Sequence, residues 1–264
     1  MRYLVIGASG FLGQTVYYKL KSLGKEVWGT YSSHKIDHDC LKLDVMDTKE
    51  LLNIYERYKP DVIIWTVMNA SIEEEIAEKS IRVLTEQMQQ TKIIFISTSV
   101  AYERDMDESV KPQVRSNKDY NYHYFNGKIK SEAYITQYKN YCIVRSGSIY
   151  GTTPYGEIDI RQKVLKEHID QRKPYYRAED IVFSIVEVNE LAEAILELAD
   201  NDYVGIINVS EEQPVNHYEF NLFLCRLNGW DSSWVKPYKE YENIYYLNNS
   251  LRKKVLHKRL RGDD

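Results

Sequence analysis

Apolar positions along the chain follow two rhythms. Short runs rich in β-branched residues, at Arg2–Ile6, Glu26–Tyr31, Asp61–Thr66, Lys92–Ser97 and Tyr141–Arg145, read as buried strands. Between them apolar residues recur at helical spacing. Leu12, Val16, Leu20 and Leu23 put one stripe on a first helix, which Gly24 is placed to cap. Leu51 to Tyr58 predicts a second helix stopped before Pro60, and Ile72–Gln90 and Tyr124–Lys139 predict two more. Strands alternating with crossover helices predict parallel pairing, hence an α/β, Rossmann-like doubly wound parallel sheet over residues 1–150.

The pattern loosens after Tyr150-Gly151. A turn-rich TTPYGEID precedes an amphipathic stretch at Ile160–Ile169, Ile181–Val186 reads as a strand, and Val188, Leu191, Ala192, Ile195 and Leu198 form another helical stripe. Gly205–Val209 reads as a short strand, Tyr218–Leu227 as a helix, and Arg252 to Arg261 as a basic, leucine-spaced tail. These elements predict a smaller C-terminal α+β substrate lobe over residues 151–264, interleaved with the first domain, with about residues 178–200 packing back onto it.

Composition narrows the class of function. The 264 residues are 43% hydrophobic and 28% charged, which excludes disorder, and a net charge of -4 supplies no basic field for nucleic acid. No run approaches the roughly 20 apolar residues of a membrane span. The opening MRYLVIGASG reads as a strand entering a turn rather than as a signal peptide, so a cytoplasmic location is expected. Cys40, Cys142 and Cys225 lack metal-ligand spacing, which predicts reduced thiols and no metal site.

Candidate chemistry starts at Gly7-Ala8-Ser9-Gly10-Phe11-Leu12-Gly13, directly after the first strand. A pyrophosphate needs a glycine turn there, with helix N–H groups opening onto it, so Gly7, Ser9, Gly10, Phe11, Leu12 and Gly13 are cofactor candidates. An acidic residue ending the second strand would bind the ribose of NAD and repel a 2′-phosphate. Here Thr30-Tyr31-Ser32-Ser33-His34-Lys35 stands instead, which favours NADPH over NADH and makes Tyr31, Ser32 and Ser33 candidates. The rival arrangement folds Asp37 or Asp39 back to the ribose. Asp44 is placed either for an adenine contact or as a helix N-cap.

A tyrosine four residues before a lysine on one helix shares its face, and the ammonium can stabilise a tyrosinate. With 23 tyrosines the spacing recurs by chance, at Tyr17/Lys21, Tyr31/Lys35, Tyr55/Lys59 and Tyr124/Lys128. Only the last begins a helix at the edge where the strands end, and Ile96-Ser97-Thr98-Ser99 delivers hydroxyls to that edge. Thr98, Tyr124 and Lys128 are therefore the catalytic candidates, and Ser99 could meet substrate beside Thr98. The alternative for Tyr124 is an ordinary surface position in DYNYHYFN.

These residues resemble the extended short-chain dehydrogenases/reductases, most of all the dTDP-4-dehydrorhamnose reductase branch. GASGFLG, STSVAY, YFNGKIKSE with Glu132 four residues after Lys128, and IVRSGSIYG occur in that family's order, and EVNELAEAI and GIINVS resemble its later landmarks. The resemblance implies that Thr98 polarises a substrate carbonyl, Tyr124 is the acid–base residue, and Lys128 lowers its pKa and holds the nicotinamide ribose. Arg145 matches an arginine common after the fifth strand, which either meets substrate or pins that strand end. The implied activity is NADPH-dependent reduction of a nucleotide-linked keto-sugar, probed first with a 4-keto-6-deoxyhexose. A sugar-nucleotide epimerase and a non-catalytic NADP-binding regulatory subunit are the alternatives. Related folds often dimerise through helices flanking the sheet, so a homodimer is open.

The chain also departs from the family. Thr66-Val67-Met68-Asn69 replaces the usual Ala-Ala pair after the third strand read here. Ser99-Val100 stands where 4,6-dehydratases carry Asp-Glu, and the cysteine of fucose synthases is absent. Arg252, Lys253, Lys254, Lys258 and Arg259 form either a solvated face or a contact for a substrate diphosphate.

Overall fold

The first half of the chain contributes β1 (Arg2–Ile6), β2 (Glu26–Tyr31), β3 (Cys40–Lys42), β4 (Val62–Trp65), β5 (Lys92–Ser97) and β6 (Tyr141–Ser146). The second half adds β7 (Ser148–Tyr150), β8 (Tyr175–Ala178), β9 (Ile181–Phe183), β10 (Ile185–Glu187), β11 (Gly205–Val209), β12 (Val215–Asn216), β13 (Val235–Tyr238) and β14 (Asn243–Ile244). The structure, a computed structural model, describes residues 1–99, 101 and 103–263. Val100 and Tyr102 of the STSVAY stretch lie outside the described residues, as does Asp264.

One seven-stranded sheet runs in the order β3-β2-β1-β4-β5-β6-β11, with every neighbouring pair parallel. This is the Rossmann-like doubly wound arrangement expected from the strand–helix alternation. The order reverses between β1 and β4, and a ligand crevice opens there beyond the strand ends. Period-two alternation sends Tyr3 and Val5 to one face, and Leu4 and Ile6 to the other. The first face packs under α1 (Phe11–Ser22), the second under α2 (Thr48–Tyr58), and both bury their side chains. Each fully buried Leu or Ile contributes about 1.5–3 kcal/mol.

Helix α1 ends as the glycine position implied. The Lys25 N–H donates to the Leu20 carbonyl and the Gly24 N–H to Lys21, with Gly24 at φ +68°. The helix expected over 72–90 is composite: α3 (Glu73–Ile76), a π-helical turn at Ala77–Ile81 and α4 (Arg82–Gln87). It is followed by α5 (Tyr122–Ile135). Strand β3 has no counterpart in the sequence reading, because three residues at a sheet edge are too few to show a period.

Beyond residue 150 the chain forms α6 (Ile160–Asp170), α7 (Val188–Asp200), α8 (His217–Asn228) and α9 (Ser250–Val255). Leu191, Ile195 and Leu198 of α7 share a core with Val16 and Leu20 of α1, and the strand read at Gly205–Val209 is β11, paired with β6. A separate core gathers Tyr150, Leu165, Phe183, Phe220 and Leu224 under three small sheets. Three cations of the basic tail are spent internally. Arg252 is buried against Asp263, Lys253 lies 2.9 Å from Glu212, and Lys258 pairs with Glu193. These three cations are therefore committed to carboxylates of the chain, not held ready for a diphosphate. No helix among the described residues is long and apolar enough to cross a membrane.

At the end of β6 a buried polar knot ties sheet to helix. The Arg145 guanidinium donates to both carboxylate oxygens of Glu132, at 3.2 and 2.8 Å, and to the carbonyls of Glu108 and Val110. Ser97 Oγ donates to the same carboxylate at 2.5 Å. Of the two roles open to Arg145, this geometry gives the pin, because every one of these donors is turned to Glu132 and the loop carbonyls. Removing one member strands a buried charge. Glu132→Ala is expected to cost about 3–5 kcal/mol, read from the midpoint of urea unfolding.

Candidate functional site

A cavity of about 750 Å³ opens at the C-terminal ends of β1, β2, β4, β5 and β6. Gly7, Ser9, Gly10, Phe11 and Leu12 form its floor. The turn is tight because each glycine meets backbone or side chain at once. Gly7 sits at φ +89° and donates its N–H to Thr30 Oγ1 at 3.0 Å, and the Gly10 N–H returns to the Gly7 carbonyl at 3.0 Å. Gly13 is absent from the lining for a different reason. A Cβ there would collide with the Gly7 carbonyl oxygen and come within 2.7 Å of Thr66 Oγ1, so this glycine serves the close approach of α1 to β1. Gly10 caps α1 without a side chain and no acidic residue occupies the first turn, so the helix N-terminus keeps its positive end for an anion. These features fit a dinucleotide pyrophosphate.

At the end of β2, Tyr31 and Ser32 line the cavity, whereas Ser33 is exposed and outside the lining. Asp37 and Asp39 are both held by Lys21 Nζ, each at 3.0 Å, and neither lines the cavity. Asp44 does line it, accepting the Met46 N–H at 2.9 Å. Its alternative role as helix cap falls to Asp47, which accepts the Glu50 N–H at 3.0 Å.

Thr98, Tyr124 and Lys128 reach the same cavity from β5 and α5. Among the four Tyr/Lys pairs, only this one has both members in the lining. Thr98 acts on the Tyr124 hydroxyl in favour of its ionised form, and Lys128 Nζ lies 5.8 Å from the Tyr124 ring centroid. Ser99 and Arg145 do not line the cavity, the first lying just past the strand end and the second committed to Glu132.

Two features here were not legible in the sequence. Lys128 is buried and grips the segment that departs from the family pattern: its Nζ donates to the Val67 carbonyl at 3.1 Å and pairs with Glu73 Oε1 at 2.8 Å. Lys128 acts on the Tyr124 phenol in the expected direction, but it does not act alone. Burial pushes that phenol above its ordinary value, Lys128 pulls it down, and Glu73 raises it again. The ammonium is outweighed. From the second half of the chain, Arg161 and Lys163 of α6 also line the cavity, with Glu157, whose carboxylate accepts from Gln14 at 2.6 Å and pairs with Lys163 at 3.1 Å.

Comparison with known proteins agrees with this architecture. Residues 3–210 match the family described as NAD dependent epimerase/dehydratase. A hypothetical dTDP-4-dehydrorhamnose reductase from Sulfolobus tokodaii superposes with TM-score 0.81 at 23% identity, covering 100% of this chain and 98% of its own. The dTDP-4-dehydrorhamnose reductase of Bacillus anthracis, crystallised with NADP, gives 0.78 at 18% identity over 98% and 93% of the two chains. The UDP-glucose 4-epimerase of Thermotoga maritima, with UDP-glucose, gives 0.75 at 20% identity over 96% and 92%. At these identities the likeness is one of fold. No curated protein matches the chain.

The glycine geometry makes a direct prediction. Gly13→Ala should destabilise the protein by about 1–3 kcal/mol through overpacking, because its Cβ would meet the Gly7 carbonyl oxygen and Thr66. Thermal melts of the variant against the wild type check it.

Proposed function

Because the chain belongs to the NAD dependent epimerase/dehydratase family, we propose that it is an NADPH-dependent reductase of a nucleotide-linked keto-sugar, of the dTDP-4-keto-6-deoxyhexose class that includes dTDP-4-dehydrorhamnose. The observation that carries this reading is the meeting of Thr98, Tyr124 and Lys128 in the one cavity floored by the glycine turn. Gly7, Ser9, Gly10, Phe11 and Leu12 would hold the pyrophosphate, and Asp44 is placed for the adenine side. Tyr31 and Ser32 would face the ribose 2′-phosphate. NADPH is preferred to NADH because Lys21 keeps Asp37 and Asp39 away from that position, so no carboxylate is aimed at a 2′-phosphate.

The cofactor, when bound, supplies the hydride that reduces the keto carbon. The chain's part is acid catalysis and orientation. Tyr124 donates its phenolic proton to the carbonyl oxygen as the carbon takes the hydride, leaving the alcohol product and a tyrosinate. Thr98, which lines the same cavity as Tyr124, donates to the same oxygen and orients the carbonyl toward the phenol. Lys128 stabilises the tyrosinate once the proton has left. Arg161 and Lys163 reach the far side of the cavity beside Asp159 and Glu157, their own ion-pair partners, and offer N–H donors there rather than net charge.

The test mixes purified protein with NADPH, then NADH, and a dTDP-4-keto-6-deoxyhexose, following nicotinamide absorbance. Oxidation of NADPH is expected, with Tyr124→Phe slowed by about 10²–10⁴-fold while its NADPH affinity is retained. A Tyr124→Phe variant with wild-type turnover would remove the assignment. Interconversion of sugar epimers without net cofactor consumption would make the protein an epimerase, and tight NADPH binding without turnover would make it a regulatory subunit.

A further inference from the structure

Glu73 is the first residue of α3, is completely buried, and lies behind Lys128 of the cavity wall. One carboxylate oxygen pairs with Lys128 Nζ at 2.8 Å, and the other accepts the Asn69 N–H at 2.8 Å. The close approach is built into the backbone. Gly127, immediately before Lys128, lies against Glu73 so tightly that a Cβ would collide with the Glu73 carbonyl carbon and come within 2.6 Å of its Cβ. A buried carboxylate is costly to desolvate, and an apolar side chain would fill such a place at no such cost. Glu132 bears the same cost to pin a strand end through Arg145, whereas the partner of Glu73 is Lys128, a residue of the cavity wall.

The geometry points to Glu73 as a positioning residue for proton transfer: its carboxylate holds Lys128 and offsets its charge, so that the Tyr124 hydroxyl is kept protonated as a donor. The inference rests on the reductase reading and deepens it, by assigning the site a preferred direction. A lysine alone beside a tyrosine favours the phenolate, the form needed to oxidise an alcohol; reduction of a carbonyl needs the phenol. The groups that face the Tyr124 hydroxyl are Lys128 on its own helix, Glu73 from α3, Thr98 beyond β5, and Arg115 from the loop before α5. Lys128, Thr98 and Arg115 favour the ionised form, and Glu73 is the carboxylate set against them. Once the phenol has given up its proton, the Lys128–Glu73 pair stays in place beside the tyrosinate and favours its reprotonation.

The experiment titrates Tyr124 directly, in protein carrying tyrosine labelled at Cζ, by NMR, with Tyr124→Phe assigning the resonance. No substrate is needed, so the outcome is separable from the activity assay. The midpoint is expected above the ordinary phenol value of about 10 in the wild type, and at lower pH in Glu73→Gln. Glu73→Asp, which keeps the charge, should stay nearer the wild type. In the reductase assay the alkaline limb of kcat/KM should move down in pH with Glu73→Gln by the same interval. If Glu73→Gln does not fold, the double variant Glu73→Gln/Lys128→Met removes both charges together, and its midpoint should lie below that of Lys128→Met alone. A midpoint that is unmoved or raised on loss of the carboxylate, in either background, would overturn the proposal. A shifted midpoint in a protein that oxidises no NADPH would leave the role of Glu73 standing and remove the reductase reading instead.

Discussion

A parallel sheet covered on both faces leaves its polar chemistry only one place to go. With Tyr3, Val5, Leu4, Ile6, Ile63, Ile64, Ile93 and Ile94 all buried, an unpaired charge in the interior would be costly. The strand ends alone can present hydroxyls, N–H groups and ammonium ions to a ligand. The glycine turn exists because α1 must leave β1 at once and lie close against it. The same sharp exit bares the helix N-terminus over the crevice where the strand order reverses. The remaining features of the cavity follow from the demand for a tight, dry sheet beneath it.

Helix α5 shows how one element serves stability and chemistry with similar parts. Lys128 and Glu132 are four residues apart and would pair with each other on an isolated helix. Instead each takes a buried partner from elsewhere: Glu73 from α3 for the lysine, Arg145 from β6 for the glutamate. Both pairs carry the same desolvation cost. The Glu132–Arg145 pair, with Ser97, is turned to loop carbonyls and joins helix, sheet and loop. The Lys128–Glu73 pair lies at the cavity wall beside Tyr124, where its charge balance acts on a titrating group. The difference lies in what adjoins each pair, not in the residue types.

The second half of the chain is woven into the first. Helix α7 and strand β11 complete the first layer, while α6 brings Arg161 and Lys163 over the cavity mouth. The loop before α6 reaches back to α1 through Glu157 and Gln14. The basic tail, conspicuous as a charge run, closes on Asp263, Glu212 and Glu193 and so tethers the C-terminus.

Periodicity and local motif were enough to determine the strand–helix alternation, the glycine turn, the capping glycine of α1 and which of four Tyr/Lys spacings, Tyr124/Lys128, brings both members to the cavity. Each depends on residues near in sequence or on the rule that ligands gather at strand ends. Tertiary contacts decided the rest. Strand β3 and the membership of β11 depend on pairing partners about 10 and 60 residues away, which no local pattern records. The freedom of Asp37 and Asp39 was decided by Lys21 on another element. Most telling is the run Glu73-Glu74-Glu75, which on the page is a solvated acidic turn. In the fold the first carboxylate is buried, the second partly exposed and the third exposed, because Gly127 lets α5 press its backbone on Glu73, while Glu74 meets His123 and Lys130 of the same helix nearer its surface. Which charge in a run leaves water is set by what packs on it, and packing is a property of the whole chain.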